Sequence, residues 1–129
     1  MKALSIQQPW AWMILYGTKR VENRTWSTKF RGDFLIHAGL KVDREAMADL
    51  ESDILAVPEP RPKAHRGGLL GIASVIDCVR VEQIASNEWA NGPWCFVLSD
   101  IRPFEKPIPW KGELGFFNVP ESALAESTT

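Results

Sequence analysis

Residues 17–26, GTKRVENRTW, carry the side chains best suited to chemistry, because Lys19, Glu22 and Arg24 stand close together there. A carboxylate flanked by cations normally stays ionised, which favours an acceptor or base role over an acid role. Lys19 offers a point charge to a phosphate or carbonyl oxygen, and Arg24 offers a planar fork of donors. The segment therefore predicts either a polar binding site or ion pairs on a solvated strand, which add little stability.

The segment also alternates as a β-strand does. Side chains two positions apart on a strand project from the same face. The predicted shared face comprises Arg20, Glu22, Arg24 and Trp26. Val21 and Asn23 are assigned to the other face. From its residues alone, this strand is either a solvated strand or the floor of a site.

A helix is predicted immediately before this strand. Pro9 suits the first helical position, since its missing N–H would be unpaired there. Gly17 stands where a left-handed residue would end the helix. Trp10 and most residues after it are apolar, so the helix is predicted to be buried, or to have one face in a cleft.

The other elements follow from hydrophobic periodicity and from turn residues. Strands are predicted at 2–6, 19–26, 31–39, 69–81, 94–100 and 114–119, and a second helix from Asp43 to about Leu55. In the third strand, Phe34 and Ile36 are assigned to one side, and Leu35 and His37 to the other. Gly71 marks a bulge or bend, and 58–68 is a Pro-rich basic loop. Short strands with two early helices predict an α+β fold on a partly closed barrel. A polar tail is expected at 121–129, after a single domain over 1–120.

Composition limits the classes of function. The formal net charge is −1, so any contact with nucleic acid must come from a local cluster and involve few phosphates. The six tryptophans exceed ordinary core needs, and Trp stacks well on unpaired bases. No apolar run is long enough to span a bilayer, and a cytoplasmic location is expected. Cys78 and Cys95 lack metal-ligand spacing, so neither a metal nor another cofactor is predicted.

The chain resembles the activating signal cointegrator homology (ASCH) domain of the PUA-like superfamily. The family signature G-x-K-x-x-E-x-R is met by Gly17, Lys19, Glu22 and Arg24. The preceding LSIQQPWAWMILYG is similar to the family's first strand and helix, and GPWCFVLSDIRPFEKPIPWKGELGFF is similar to the tail of a bacterial subgroup. The resemblance implies a small PUA-like, partly closed β-barrel with two or three helices. It also implies a cleft between the first helix and the barrel.

Members of this family are thought to bind RNA or other nucleic acid. The implied ligand is RNA, a single-stranded nucleic acid or a modified nucleoside. The residues expected to bind it are Gln8, Trp10, Lys19, Glu22, Arg24, Trp26, Arg31 and His37. Lys19, Arg24 and Arg31 are expected to contact phosphate, Glu22 a base or sugar, and Trp10 or Trp26 to stack. Gln8 equally suits a helix cap, and His37 a structural hydrogen bond.

Two alternatives stay open. One is a hydrolase of RNA or of acylated cytidine, since one ASCH protein is a ribonuclease and a bacterial relative hydrolyses N4-acetylcytidine. The catalytic threonine of that relative aligns with Glu22, while its lysine is retained as Lys19. Lys19 and Glu22 would therefore have to activate water directly. The other alternative is a protein-interaction adaptor with a vestigial cleft.

Overall fold

A computed structural model describes residues 1–52 and 65–124 of the 129-residue chain. Six strands are present in these ranges: β1 Lys2–Gln8, β2 Val21–Arg24, β3 Gly32–Val42, β4 Gly68–Arg80, β5 Trp94–Pro109 and β6 Phe116–Asn118. Two α-helices are described, α1 Trp10–Tyr16 and α2 Arg44–Ser52, with short 3₁₀ turns at Val81–Ile84 and Glu121–Leu124. No helix in the described ranges is long and apolar enough to cross a membrane.

The strands form one sheet in the order β2-β5-β4-β3-β1-β6. β1 and β3 run parallel, and the other neighbours are antiparallel. Within the described part of the chain, the edge strands β2 and β6 do not pair with each other, so the sheet is a partly open barrel. The prediction of an α+β, partly closed barrel is confirmed.

The core has two parts, one on each face of β3. Phe34 and Ile36 belong to the larger cluster, which also buries the apolar face of α1. Leu35 belongs to the smaller cluster around Phe117, and His37 contacts the Phe117 ring. The predicted alternation of this strand is therefore confirmed.

Gly71 lies where β4 shifts register against both neighbouring strands. A side chain on Gly71 would begin 2.7 Å from the Arg102 carbonyl oxygen and 2.7 Å from Leu15. The bulge prediction is confirmed, and the glycine is needed because the β5 backbone and α1 approach so closely.

Two boundaries differ from the sequence prediction. β5 continues to Pro109 instead of ending near Asp100, because its second half pairs with the start of β4, where Gly68 faces Pro109. Helix α1 starts at Trp10, so Pro9 precedes the first helical residue.

Helix α2 begins where the sequence predicts it. The Asp43 carboxylate accepts a hydrogen bond from the Ala46 N–H at 3.1 Å, which confirms the predicted cap. α2 is described to Ser52, so its predicted continuation to Leu55 lies outside the described residues, as does most of the predicted loop at 58–68. In the tail segment, Ala123 and Leu124 pack on the smaller core cluster.

Candidate functional site

The turn between α1 and β2 places Lys19 beneath the helix. The N–H groups of Gly17 and Lys19 both donate to the Met13 carbonyl, at 3.1 and 3.2 Å. Gly17 ends the helix as predicted, but its φ of −108° and ψ of −152° are extended, so the left-handed assignment is wrong. Glycine is required for a different reason: a Cβ here would lie 2.8 Å from the Met13 oxygen.

Lys19 and Glu22 form a buried pair. Lys19 is 3% exposed and Glu22 7%, and Lys19 Nζ lies 3.6 Å from Glu22 Oε1. Lys19 also donates to the Val21 carbonyl and lies 5.9 Å from the centre of the Trp10 ring. Burial lowers the pKa of Lys19, and the neighbouring Glu22 opposes this shift in part. The amine is therefore more easily deprotonated than an exposed lysine.

Arg24 holds the second carboxylate oxygen of Glu22. Its Nε and Nη2 lie 3.0 and 2.9 Å from Oε2, and Nη2 also donates to the Ser5 carbonyl at 2.7 Å. Arg24 thus links β2 to the part of β1 beyond its pairing with β6. Both motif cations are engaged inside the protein, so a phosphate would have to compete with Glu22 for them.

The predicted common face of β2 holds from Glu22 to Trp26, since Arg24 Cζ lies 6.0 Å from the centre of the Trp26 ring, but the assignment of Arg20 to it is wrong. Arg20 precedes the strand and donates to the carbonyls of Ile14, Gly17 and Lys19, which caps α1. Trp26 follows the strand and packs edge-on against Phe96, at 5.2 Å between ring centres. Strand alternation fails at Arg20 because β2 begins only at Val21.

Asn23 builds a second wall that the sequence did not indicate. Its Oδ1 accepts the N–H groups of Asn91 and Gly92, both at 2.8 Å, and its Nδ2 donates to the Trp89 carbonyl at 2.9 Å. These bonds fix the loop that carries Trp89 and Glu88. Since β2 is the edge strand, Asn23 reaches the same cleft as Glu22 despite the assignment to opposite faces.

These walls enclose a cleft of about 420 Å³. It is lined by Trp10, Lys19, Glu22, Asn23, Asp43, Glu88, Trp89 and Asn91. One cation against three carboxylates (1 − 3) leaves a formal charge of −2. Two indole rings with carboxylate and amide acceptors suit a planar heterocycle that bears N–H donors. The acidic lining disfavours a phosphate.

Three of the eight predicted binding residues line this cleft: Trp10, Lys19 and Glu22. Arg24 donates a hydrogen bond to Glu22 from outside the cleft lining, and Trp26 is partly buried against the larger core cluster. Sequence reasoning missed the other five lining residues, Asn23, Asp43, Glu88, Trp89 and Asn91. A tryptophan in the polar stretch SNEWANG was the one available signal for the loop wall.

The other three predicted residues lie away from the cleft. Gln8 is fully buried, accepts the Trp12 N–H at 3.0 Å and donates to the His65 carbonyl at 2.9 Å. Gln8 therefore acts as the helix cap that was its alternative. Arg31 pairs with Asp77 at 3.6 Å on the surface.

His37 has both ring nitrogens engaged. They lie 2.8 Å from the Ser5 hydroxyl and 2.8 Å from the Trp110 carbonyl oxygen. This is the structural hydrogen-bonding role that was the alternative to a phosphate contact.

Fold and cleft together define a small, partly open β-barrel protein with a polar and aromatic cleft beside its first helix. The ASCH domain model matches residues 4–108. The chain belongs to the ASCH domain family, which is associated with RNA binding.

Relatives and solved structures agree with this assignment. Activating signal cointegrator 1 is 29% identical in Homo sapiens and 34% in Mus musculus, each over 122 residues and 84% of this chain. The chain spans only 20% of the length of each. An ASCH protein of Zymomonas mobilis gives a TM-score of 0.57 at 15% identity, over 95% of this chain and 89% of that one. A single-residue variant of it gives 0.60 at 14% identity, over 97% and 94%. At this identity the likeness shows the fold alone, which is the PUA-like barrel predicted.

Proposed function

We propose that the cleft binds an unpaired base, either of RNA or another single-stranded nucleic acid or of a free nucleoside. The observation that carries the proposal is the cleft lining, in which two tryptophans accompany a fixed carboxylate and an amide. Every nucleobase has a π-face that stacks on an aromatic ring. Family membership supports the same class of ligand.

Each group has a distinct role in this proposal. Trp10 and Trp89 stack on the base, and Glu22 accepts from an exocyclic amine or a ribose hydroxyl. Asn23 holds the loop that carries Trp89. Phosphate contacts by Lys19, Arg24 and Arg31 are not part of the proposal, because these cations are paired with Glu22 and Asp77.

Calorimetric titration with the four common ribonucleosides, N4-acetylcytidine and a short RNA tests this proposal. Loss of one stacking ring costs roughly 1–3 kcal/mol, or about 5- to 150-fold in Kd. Trp10→Ala and Trp89→Ala should each weaken binding by this amount. Trp94→Ala is the matched control, because Trp94 packs on Arg80 at 5.2 Å and does not line the cleft. Absence of binding by all these ligands at low salt would contradict the proposal.

A hydrolase is the second candidate, and one observation favours it. The Lys19 amine lines the cleft beside Glu22, with a pKa lowered by burial. Such a pair suits a base and an electrophile acting on water against an acylated cytidine or an RNA phosphodiester. N4-acetylcytidine and single-stranded RNA are the substrates to test, with products followed by chromatography. Turnover that is lost in both Lys19→Met and Glu22→Gln supports this function. Turnover that persists in both variants would show that Lys19 and Glu22 are not catalytic. Absence of turnover by the wild-type protein would exclude the hydrolase.

We also propose that the protein acts in the cytoplasm. Cys78 and Cys95 are free thiols in this structure, which is compatible with the expected cytoplasmic location. Fractionation of cells that express the tagged chain tests that location.

A further inference from the structure

A second concave surface lies on another side of β1 and β3. We call it the Trp110 groove; it is formed by Leu40, Lys41, Trp110, Lys111, Gly112 and Leu114, above Ser5 and His37. Its volume is about 690 Å³, which exceeds the 420 Å³ of the cleft. The two share no lining residue. A ligand confined to the cleft therefore leaves this surface unused.

The aromatic side of the groove is held in place. The Trp110 N–H donates to the Gly67 carbonyl at 3.1 Å, and the Trp110 carbonyl accepts from His37 Nε2 at 2.8 Å. A carbonyl can only accept, so Nε2 of His37 carries a proton, and Nδ1 lies within hydrogen-bond distance of the Ser5 hydroxyl. The Trp110 backbone is thus fixed at both its N–H and its carbonyl.

Gly112 completes this support. A side chain there would begin 2.5 Å from Ser5 Oγ and 2.7 Å from His37 Cε1. Only glycine lets the segment lie directly on the Ser5–His37 pair. The groove is therefore preorganised, which lowers the entropic cost of binding a ligand.

The exposed groups of the groove combine positive charge with apolar surface. Lys41 and Lys111 form no ion pair within the described part of the chain, and with Glu113 they leave a formal charge of +1 (2 − 1). Leu114 is 99% exposed and Leu40 75%. Unpaired cations beside an aromatic and apolar surface are the usual lining of a single-strand path. The sign of the charge is opposite to that of the cleft.

The groove and the cleft are neighbours at the end of β3. Lys41 lines the groove and Asp43 lines the cleft, so at most roughly 7 Å of chain separates their Cα atoms. Arg24 also connects the two surfaces, since it contacts Glu22 in the cleft and the Ser5 carbonyl below the groove. The two surfaces are therefore adjacent enough for neighbouring nucleotides of one strand.

We infer that the Trp110 groove holds the sugar–phosphate backbone and a neighbouring base of the strand whose base occupies the cleft. The ligand is accordingly a single-stranded oligonucleotide rather than a free nucleoside. Lys41 and Lys111 neutralise phosphates, Trp110 stacks on the neighbouring base, and Leu114 covers its sugar. This inference rests on the proposed base-binding function of the cleft.

The test compares a four-nucleotide RNA with its component nucleosides across a salt series. Wild type should bind the oligonucleotide more tightly than it binds the nucleosides. Binding of the oligonucleotide by the Lys41→Gln/Lys111→Gln variant should depend less steeply on salt. The magnitude of the slope of log K against log salt should fall by about 1.4, or about 0.7 for each phosphate that is no longer neutralised. Trp110→Leu should weaken oligonucleotide binding about 5- to 150-fold. Nucleoside affinity should stay unchanged in both variants. The charge-matched control is Lys29→Gln/Lys106→Gln, since both lysines are exposed and lie outside the groove.

The outcomes separate the two proposals. Nucleoside binding with no oligonucleotide advantage, or with no effect of the groove variants, overturns the groove and leaves the cleft intact. Binding of an apolar peptide in the groove that RNA does not displace also overturns it. Oligonucleotide binding that depends on the groove but is unchanged in Trp10→Ala and Trp89→Ala contradicts the cleft, and it overturns the strand shared between the two surfaces. If neither ligand binds, both proposals fail.

Discussion

Replacing Glu22 by glutamine removes the one carboxylate between Lys19 and Arg24 while preserving its shape. Lys19 then remains as a cation that is 3% exposed, with the Val21 carbonyl and the Trp10 ring as its remaining polar or π contacts in the described residues. Arg24 keeps an amide oxygen as acceptor and its bond to the Ser5 carbonyl. The cost of the substitution therefore falls chiefly on Lys19.

The structure gives the size of this cost. At 3.6 and 2.9 Å, an effective dielectric constant of about 20 gives gross attractions of about 5 and about 6 kcal/mol. Desolvation offsets much of this, and removal of one partner from a buried pair costs about 3–5 kcal/mol. The retained bond from Arg24 returns about 1 kcal/mol. We expect Glu22→Gln to lower the free energy of unfolding by about 3 kcal/mol at neutral pH.

The pH dependence identifies the cause. Burial already lowers the pKa of folded Lys19 below the ordinary 10.5, and loss of Glu22 lowers it further. Between the folded and unfolded pKa values of Lys19, only the unfolded state holds the proton, so stability rises with pH. This window extends to lower pH in the variant. The deficit of Glu22→Gln against wild type should therefore shrink as pH rises towards the ordinary value of 10.5.

Urea unfolding at several pH values, followed by circular dichroism, measures this deficit. Glu88→Gln is the matched control, since Glu88 lines the same cleft but is exposed, and it should change stability by less than about 0.5 kcal/mol. Lys19→Met in the Glu22→Gln background should restore part of the loss by removing the unpaired charge. A deficit below about 1 kcal/mol, or one independent of pH, would refute the view that Glu22 is the counter-ion of a buried lysine.

Urea unfolding of three further variants tests contacts that hold the cleft and the barrel together. Asn23→Ala should cost about 2 kcal/mol, because it leaves two loop N–H groups unpaired, and it should weaken nucleoside binding in calorimetry, whereas Asn118→Ala should do neither. Arg24→Lys should cost about 1–2 kcal/mol, since an ammonium cannot reproduce the fork between the cleft carboxylate and the β1 carbonyl; an unchanged stability would show that this link is dispensable. Gly71→Ala should cost about 1–3 kcal/mol through its 2.7 Å clash with β5, and Gly39→Ala, where nothing lies within 4 Å, is the control.

The secondary-structure elements and the family follow from the sequence. Apolar alternation and turn residues located every described strand and both helices, because burial on one face imposes a period of two on strands and about 3.6 on helices. The hydrophobic pattern of the sequence could not show that β5 continues through Pro103, Pro107 and Pro109. That extension depends on pairing with β4, a contact distant in sequence.

For the candidate site, the sequence identified the motif but not its surroundings. Gly17, Lys19, Glu22 and Arg24 were recognised by spacing, and Lys19 and Glu22 do line the cleft. Lys19 and Arg24 are less available to a ligand than expected, because both contact Glu22. Spacing alone does not reveal whether neighbouring cations point to a ligand or to the same carboxylate. Only the folded chain shows that Glu22 forms ion pairs with both cations.

Tertiary structure alone decided which distant residues complete the cleft. Glu88 and Trp89 belong to the loop before β5, the strand that pairs with β2, whereas Asp43 follows β3, which lies three positions from β2 in the sheet. Local sequence cannot encode such a meeting, since it arises from the order of strands and from the hydrogen bonds of Asn23. The carboxylates of Asp43 and Glu88 also reverse the expected charge, because the motif is rich in cations but the cleft that it lines is acidic.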